Sequence, residues 1–382
     1  MDVWDFNLRH LRAVAEIHRR GNTHAAAAAV NLTQPAITQA LARIEAKIGL
    51  PLFERSHDGM TPTEAADLLV PRIDAALAYV ASPYVTMARL RAMLALADAG
   101  SYSGASHRSG LSSPSIHRAV GDLALSVRRR LVERRGNVIL LTEAGVAIAR
   151  AFRLARVELQ AGLSEIEALK GHETRRIAVG TMPLARARVL PSAITRFLRR
   201  HPRVHVAIVE GSRGELVEPL RNGAIDLMIG ALRDPLIEPD LVQRPLFVDV
   251  PAVIGRAGHP LAGGAPTLAE LAAYPWITAT PGAPLFDAWQ RLFAEVGKAL
   301  PPAPIESGSV TTIRQILADS DFLTLLSPDQ VEVEFAAGWL ARIAGVPPHL
   351  GRTIGITSRA SWRPTIVQAE FAAELAAVAA GD

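Results

Sequence analysis

The sequence predicts a multidomain protein: two tandem, all-α-rich winged helix-turn-helix domains followed by an α/β domain of two lobes. The first observation is a repeat, because residues 11–66 and 90–145 share one pattern at a constant offset of 79 without a gap. A spacing held over so long a segment is typical of a duplicated domain. The second observation is a change near residue 175, where helical periodicity gives way to alternating short strands and helices.

Composition narrows the class of protein. The 382 residues are 49% hydrophobic and 20% charged, which is typical of a globular chain of two or three domains. Cysteine is absent, so disulfides, thiolate metal sites and thiol redox chemistry are excluded. Residues 1–5 lack the features of a signal peptide, and polar residues interrupt 21–42, the longest stretch without a charged residue. We expect a cytoplasmic protein with no membrane partner.

Positive charge is concentrated in the N-terminal half. Residues 1–170 contain 21 Lys and Arg against 16 Asp and Glu, whereas residues 171–382 contain 20 against 21. A basic half beside a neutral one indicates nucleic acid binding. A generally arginine-rich composition explains the high isoelectric point equally well, so charge alone leaves both explanations open.

The first copy of the repeat has the pattern of a winged helix-turn-helix. Apolar spacing predicts a first helix that ends at Gly21, and Thr33 is a good N-cap for the third helix. The rest of the pattern predicts a second helix over 25–30, a third helix over 35–48, a strand over 52–55, a turn over 56–60 and a long helix over 64–79. Two short helices, a tight turn and a hairpin wing form a compact DNA-binding fold.

The outer face of the third helix carries side chains that can contact DNA. Gln34 and Gln39 suit adenine, and Arg43 suits guanine or phosphate. Thr33 and Thr38 suit phosphate or a base edge. Each residue taken singly is also explained by a solvated helix face, but the ordered set favours DNA binding.

The same segment resembles the N-terminal domain of the LysR-type transcriptional regulators. The resemblance rests on Leu11, Gly21-Asn22-Thr23, Ala25-Ala26, Leu32 to Thr38, Ile44-Glu45, Gly49, Leu52 to Arg55 and Thr61 to Ala65. It implies that helix 35–48, with Pro35 in its first turn, is the recognition helix. It also implies that Thr33 at the cap and Arg55 on the wing contact DNA.

The second copy keeps the scaffold and departs at positions that matter for DNA binding. Relative to the first copy, Gln34 becomes Ser113 and Gly49 becomes Arg128. The candidate contacts are Ser112, Ser113, His117, Arg118 and Arg134, next to the basic runs 128–130 and 134–135. We predict that the first copy reads the base sequence and that the second contacts phosphate or acts like a dimer partner. A second copy fully active on a different half-site stays an open alternative.

A helix follows each copy and is expected to need a partner. The second helix carries an apolar stripe made of Ala147, Ala151, Leu154, Val157, Ala161, Leu163, Ile166 and Leu169. In the LysR family such linker helices pair between subunits, which implies a homo-oligomer. Pairing within one chain is the alternative. The predicted boundaries are 1–63 and 85–142 for the two copies, 64–84 and 143–172 for the linkers, and 173–382 for the α/β domain.

The α/β half is predicted to bind a small ligand between two lobes, lobe I over 173–247 and 350–382 and lobe II over 248–349. It resembles the effector-binding domain of LysR regulators, itself similar to periplasmic solute-binding proteins, through Ile177 to Thr181, Leu190-Pro191, His201-Pro202, Glu210 to Ser212, Gly223, Asp226 and Gly258 to Leu261. Strand ends and helix starts can bind a carboxylate. The candidate residues are Thr181, Met182, Ser212, Arg213, Arg233, Thr280 and Pro281.

Catalytic and metal-binding motifs are missing from the sequence. His201 and His205 are four apart, but across a proline turn, so they form no helical metal pair. No nucleophile elbow, phosphate loop or dinucleotide fingerprint occurs. We therefore predict a DNA-binding regulator, not an enzyme, without cofactor or metal, whose effector is a small organic or aromatic acid. The alternative is a cytoplasmic ligand-binding module or enzyme with vestigial DNA-binding domains.

Overall fold

The computed structural model describes residues 2–56, 59–136, 138–172, 176–294 and 299–381. Positions 57 and 58 of the predicted turn and positions 173–175 at the predicted start of the α/β domain lie outside the described residues. Contacts divide the chain into two compact units, Met1–Arg175 and Arg176–Asp382. We call the first, which the sequence predicts to bind DNA, the DNA-binding unit.

Apart from a short 3-10 helix at its start, the DNA-binding unit contains the same series of elements twice. The first series, copy 1, consists of a short 3-10 helix Val3–Asp5, α1 Leu8–Arg20, α2 Thr23–Ala29, α3 Gln34–Ile48, β1 Phe53–Ser56, β2 Gly59–Pro62 and the linker helix α4 Glu64–Val80. The second series, copy 2, consists of α5 Met87–Ala99, α6 Tyr102–Ser109, α7 Ser113–Val127, β3 Val132–Arg135, β4 Val138–Leu141 and the linker helix α8 Glu143–Leu169.

Each hairpin is anchored to its copy by an equivalent main-chain hydrogen bond. In copy 1 the N–H of Met60 donates to the carbonyl of Gly21 at 2.7 Å. In copy 2 the N–H of Ile139 donates to the carbonyl of Gly100 at 3.1 Å. Both members of the second bond lie 79 residues after those of the first. The sequence offset therefore relates tertiary contacts as well as helices.

The two copies differ in backbone strain at the C-cap of the third helix. Gly49 ends α3 in the left-handed region at φ 73°, and Arg128 ends α7 there at φ 52°. A non-glycine residue is strained in this region.

Relief of this strain predicts a stability change. Arg128→Gly is expected to raise the free energy of unfolding by about 1 kcal/mol, because glycine adopts φ > 0 without a Cβ clash. Gly49→Arg at the equivalent position should lower it by about the same amount. Urea denaturation of the full chain measures both changes, and equal effects of the same sign would contradict the argument.

The linker helices α4 and α8 pack against each other within the chain, antiparallel, so that residues near Arg72 meet residues 158–165. Their buried faces join both copies into one hydrophobic core. The stripe predicted for α8 is partly wrong, because Ala147 and Leu169 are exposed. The buried face instead holds Ala149, Phe152, Ala155, Glu158, Leu159, Gly162, Leu163, Glu165 and Ile166. Since its own copy covers one side of α8 and α4 another, the buried surface does not follow a single apolar stripe.

The second unit contains two five-stranded sheets. Its strands and principal helices are β5 Arg176–Thr181, α9 Val189–Arg200, β6 His205–Glu210, α10 Arg213–Arg221, β7 Leu227–Ala231, β8 Leu241–Asp249, β9 Ala252–Arg256, α11 Leu268–Ala272, β10 Trp276–Thr278, α12 Pro284–Ala294, β11 Ile305–Glu306, α13 Val310–Ala318, β12 Leu323–Leu326, α14 Glu332–Ala336, β13 Leu340–Gly345, β14 Arg352–Arg359 and α15 Ile366–Ala380.

The sheet orders show how the chain passes between the lobes. One sheet runs β6-β5-β7-β14-β8 and the other β11-β10-β12-β9-β13. The chain leaves the first sheet after β8 and returns to it in β14, which pairs antiparallel with β7 and β8. Carboxyl ends of parallel strands from both sheets therefore meet at a cleft, the usual ligand position in such folds. Among the described residues, no helix is long and apolar enough to cross a membrane.

Candidate DNA interface and ligand cleft

The predicted recognition helix of copy 1, α3, has a buried face and an exposed polar face. Its apolar side chains Ile37, Leu41, Ile44 and Ile48 are buried. Thr33 caps its start, where its hydroxyl accepts a hydrogen bond from the N–H of Ala36 at 3.4 Å. Of the predicted contact residues, five are exposed, namely Thr33, Gln34, Pro35, Gln39 and Arg43, and Thr38 is half-buried. The helix thus presents most of the predicted contact set on one surface.

Internal hydrogen bonds separate free donors from engaged ones on this surface. The amide of Gln34 donates to the hydroxyl of Thr23 at 3.2 Å. The hydroxyl of Thr38 donates to the carbonyl of Gln34 at 3.1 Å, so it can only accept a bond from DNA. Gln39 and Arg43 carry the side chains best placed to donate to base edges.

Arg43 also lies in a positive environment. Partial burial, the charge of Arg43 and then that of Arg9 lower the pKa of His10 on α1. His10 therefore stays neutral near pH 7. This cluster extends the basic surface of copy 1 from α3 to the start of α1, where phosphate can be contacted.

The equivalent surface of copy 2 offers fewer groups for reading bases. The hydroxyl of Ser113 donates to the carbonyl of Tyr102 at 3.1 Å, and that of Ser112 lies 2.7 Å from the hydroxyl of Ser115. The ring of His117 lies against that of Tyr102, with centroids 5.1 Å apart. Arg118 is exposed next to the basic run 128–130 on a shallow groove. Guanidiniums therefore dominate, which suits phosphate more than base edges.

The two wings carry equivalent arginines. Arg55 on β1 and Arg134 on β3 are exposed and stand 79 residues apart. Arg134 pairs in register with Ile139, and its Nε donates to the carbonyl of Gly136 at 2.8 Å. Each wing thus presents an exposed arginine at the equivalent position, and Arg135 adds a second one in copy 2.

The second unit contains a cleft of about 540 Å³ between its two sheets. Six of the predicted ligand residues line it, namely Met182, Ser212, Arg213, Arg233, Thr280 and Pro281. Thr181 does not, because its side chain is completely buried and its hydroxyl donates to the carbonyl of Met182 at 3.3 Å. The apolar part of the wall comes from Leu184, Leu285, Val310, Ile313, Leu325 and Leu326.

The start of α10 is already occupied by a carboxylate. Both the N–H and the hydroxyl of Ser212 donate to Glu215 Oε2, each at 2.8 Å. These two bonds, the backbone one first, lower the pKa of Glu215. An acidic ligand would have to compete with Glu215 for Ser212, so arginines are the better candidates for binding it.

Two arginines that line the cleft each have one guanidinium nitrogen bonded to a carboxylate and another without a hydrogen-bond partner among the described residues. Arg213 donates to Glu238 at 2.7 Å, and Arg352 donates to Asp249 at 2.9 Å. Their Nη1 and Nη2 atoms, respectively, are buried without a hydrogen-bond partner among the described residues. Burial lowers the pKa of Arg352 more than Asp249 raises it. Buried N–H groups that lack a partner are costly, and an anionic ligand would satisfy them.

Arg352 and Gln330 are cleft residues that sequence reasoning missed. Arg352 begins β14, and Gln330 lies in the 3-10 helix Pro328–Val331, with its Oε1 buried and unpaired in the described part of the chain. Neither belongs to the strand-end positions used for prediction. A charged residue at the start of the returning strand was the available signal for Arg352.

Comparison with known families decides the class. The family described as "Bacterial regulatory helix-turn-helix protein, lysR family" matches residues 8–67 and 87–146. The family described as "LysR substrate binding domain" matches residues 170–380. The chain belongs to the LysR family. It is a DNA-binding transcriptional regulator with an effector-binding domain, and the relatives it matches are regulators rather than enzymes.

Two curated relatives differ in how much of this LysR regulator they match. The HTH-type transcriptional regulator GalR of Pseudomonas putida is 32% identical over 372 residues, covering 94% of each chain. The SDS degradation transcriptional activation protein of a Pseudomonas species is 31% identical over 280 residues, covering 71% of this chain and 89% of the relative.

Solved structures agree with the fold. ArgP from Mycobacterium tuberculosis has a TM-score of 0.62 at 16% identity and covers 77% of this chain and 97% of its own. A full-length OxyR variant from Pseudomonas aeruginosa has a TM-score of 0.56 at 22% identity and covers 78% of this chain and 95% of its own. At these identities the likeness concerns the fold alone.

Proposed function

We propose that this LysR regulator carries two winged helix-turn-helix domains in tandem and holds both on one DNA site as a single chain. The observation that carries the proposal is the packing of α4 against α8 within the chain, which joins copy 1 and copy 2 in one core. Linker helices that pair inside a chain make a pseudo-dimer. Any homo-oligomer would then form through other surfaces.

Two further observations support a duplicated domain. The family match recurs at residues 8–67 and 87–146, again 79 apart. The alignment with GalR covers 94% of this chain, whereas omission of either 60-residue match would limit coverage to about 84% of the 382 residues. GalR therefore aligns with both copies.

Within this unit we assign copy 1 to base reading and copy 2 to backbone contact. Gln39 and Arg43 of copy 1 are exposed and can reach base edges, with Thr33, Gln34, Pro35, Thr38 and Arg55 around them. Copy 2 contributes Arg118 and Arg134, with Ser112, Ser113 and His117 engaged in contacts of their own. Phosphate contacts position a protein on DNA without reading sequence.

The effector is a small organic acid bound in the cleft of the second unit. Arg213, Arg233 and Arg352 supply positive charge, and an apolar wall suits the carbon skeleton. Binding would favour one arrangement of the lobes to the extent that the acid prefers it. Since DNA is the partner, we infer that the protein works in the cytoplasm.

A salt-titrated DNA-binding assay tests the proposed function. Wild-type protein should prefer the DNA upstream of its own gene over random DNA of equal length, at a salt concentration where random DNA is released. Arg43→Ala should remove most of that preference. Equal, weak binding of both DNAs by both proteins would contradict the regulator function.

The effector assignment predicts the result of one cleft substitution. Arg233→Met should weaken the binding of carboxylic acids by about tenfold or more, since a charge-assisted hydrogen bond is lost. The guanidinium of Arg233 donates to the main-chain carbonyl of Gly282 rather than to a carboxylate, so the substitution strands no hydrogen-bonded acid. Thermal-shift titration with a panel including succinate and benzoate measures the change. Arg200→Met, an arginine of the same unit that does not line the cleft, is the control and should leave the titrations unchanged.

A further inference from the structure

The interface between α4 and α8 contains a buried cluster of charge around Arg72. Arg72 of α4 donates from Nη1 to Glu158 at 3.1 Å and from Nη2 to Glu165 at 2.9 Å. A third bond joins its Nε to Glu165 at 3.1 Å. All three side chains are less than one tenth exposed. The cation therefore belongs to one linker helix and both carboxylates to the other.

The offset of 79 identifies which residues occupy the symmetry-related position. Arg72 corresponds to Ala151, Glu158 to Tyr79 and Glu165 to Thr86. The symmetry-related position thus has neither the cation nor the carboxylates, and Tyr79 and Ala151 there line a cavity of about 430 Å³. The helix pair is symmetric in its backbone pattern and asymmetric in its charge.

This asymmetry distinguishes the possible pairs of linker helices. If α4 paired with α4 of a second chain in the same geometry, each Arg72 would face Tyr79 instead of a carboxylate. If α8 paired with α8, Glu158 and Glu165 would face Ala151 without a cation. Both arrangements bury unpaired charge, which is strongly unfavourable. Of these pairings, only α4 with α8 brings Arg72 together with Glu158 and Glu165.

Two ion pairs, one between each copy and its linker helix, also differ in charge between the copies. Arg19 of α1 donates to Asp74 of α4 at 3.1 Å. At the positions 79 residues later, Asp98 of α5 pairs with Arg153 of α8, so that the charges are reversed. If copy 1 docked on α8 and copy 2 on α4, arginine would face arginine and aspartate would face aspartate. Each copy is thereby matched to its own linker helix.

We infer that these charges form a pairing code: the surface of α4 accepts only the opposite linker helix, α8, and rejects the α4 surface of a second copy of the chain. The inference rests on the proposed two-domain function and gives the reason why α4 pairs with α8 of the same chain. Arg72, Glu158 and Glu165 select the linker pair, and the reversed ion pairs assign each copy to its linker. They act on assembly and contact neither DNA nor effector.

The absence of cysteine from the chain makes disulfide trapping a direct test. Ala76 and Ala155 are fully buried and 79 residues apart, and the Arg72 contacts place them near the pseudo-twofold axis of the helix pair. In the full chain, Ala76→Cys with Ala155→Cys should oxidise to a product of monomer mass, two hydrogens lighter. Ala76→Cys alone should give no disulfide-linked dimer. Efficient dimer formation by the single variant would overturn both the inference and the proposed within-chain pairing.

Neutralising the charge cluster tests whether charge, and not only apolar packing, selects α8 as the partner of α4. Ala76→Cys is combined with Arg72→Met, Glu158→Gln and Glu165→Gln, and far-ultraviolet circular dichroism checks that the helices persist. A rise of at least severalfold in the disulfide-linked dimer supports charge selection. An unchanged, negligible dimer fraction overturns charge selection and leaves the proposed function standing. If the fourfold variant does not fold, Ala76→Cys with Glu158→Gln alone must show a smaller rise, and no rise overturns the inference.

Discussion

Arg72→Met is expected to lower the free energy of unfolding by about 3–5 kcal/mol, because it leaves two buried carboxylates without their cation. Glu158 and Glu165 are both less than one tenth exposed and both accept hydrogen bonds from Arg72. Burial alone would lower the pKa of Arg72, but the bonds and charges of Glu165 and Glu158 outweigh it and raise that pKa. Urea denaturation at pH 7 measures the loss.

The loss of unfolding free energy in Arg72→Met should depend on pH. Without Arg72, burial should raise the pKa of both glutamates above their unfolded values, so the folded variant binds more protons than the unfolded chain. Its stability relative to wild type should therefore rise as pH falls from about 7 to about 5. Adding Glu158→Gln and Glu165→Gln should restore most of the loss. Arg19→Met, which breaks an exposed pair, should cost at most about 1 kcal/mol. Equal losses for Arg72→Met and Arg19→Met would contradict the buried-cluster account.

The second large effect concerns the division of work between the copies. Gln39 and Arg118 are exposed at equivalent positions of α3 and α7. Gln39→Ala should reduce specific binding by about 5- to 150-fold while leaving random DNA unaffected, since a bidentate base contact is worth about 1–3 kcal/mol. Arg118→Ala should weaken specific and random DNA alike and reduce the salt slope by about 1. Competition binding at several salt concentrations measures both.

Because Gln39 and Arg118 occupy matched positions, the two variants also test the roles assigned to copy 1 and copy 2. If Arg118→Ala also changed the preferred sequence, copy 2 would be a second reader on its own half-site. If Gln39→Ala changed only the salt slope, copy 1 would contact phosphate alone. Arg55→Ala and Arg134→Ala on the two wings are the matched control, and we expect similar losses from both.

Local signals predicted most of the DNA-binding unit. The third helix of each copy begins after a capping hydroxyl at Thr33 or Ser112 and ends in the left-handed region, at Gly49 or Arg128. These features depend on a few adjacent residues, so one sequence suffices to recognise them. The strain at Arg128 could be predicted because the offset aligned it with a glycine.

The missed features depend on contacts between distant residues. Arg72 looks like an ordinary exposed charge on a helix, and only packing against α8, 86 and 93 residues later, reveals it as buried. Strands β8 and β13 are edge strands with mixed polar and apolar residues, so a single sequence gives little signal for them. In the cleft, Arg352 joins the predicted residues only through the returning strand β14. Sequence periodicity carries no signal for such long-range pairings.

The number of DNA half-sites protected by each bound chain tests the central claim most directly. Hydroxyl-radical footprinting counts protected half-sites, and native mass spectrometry of the same complex counts chains. We predict two half-sites for each chain, since copy 1 and copy 2 share one core and one linker pair. One protected half-site for each chain would contradict a two-domain DNA-binding unit within a single chain.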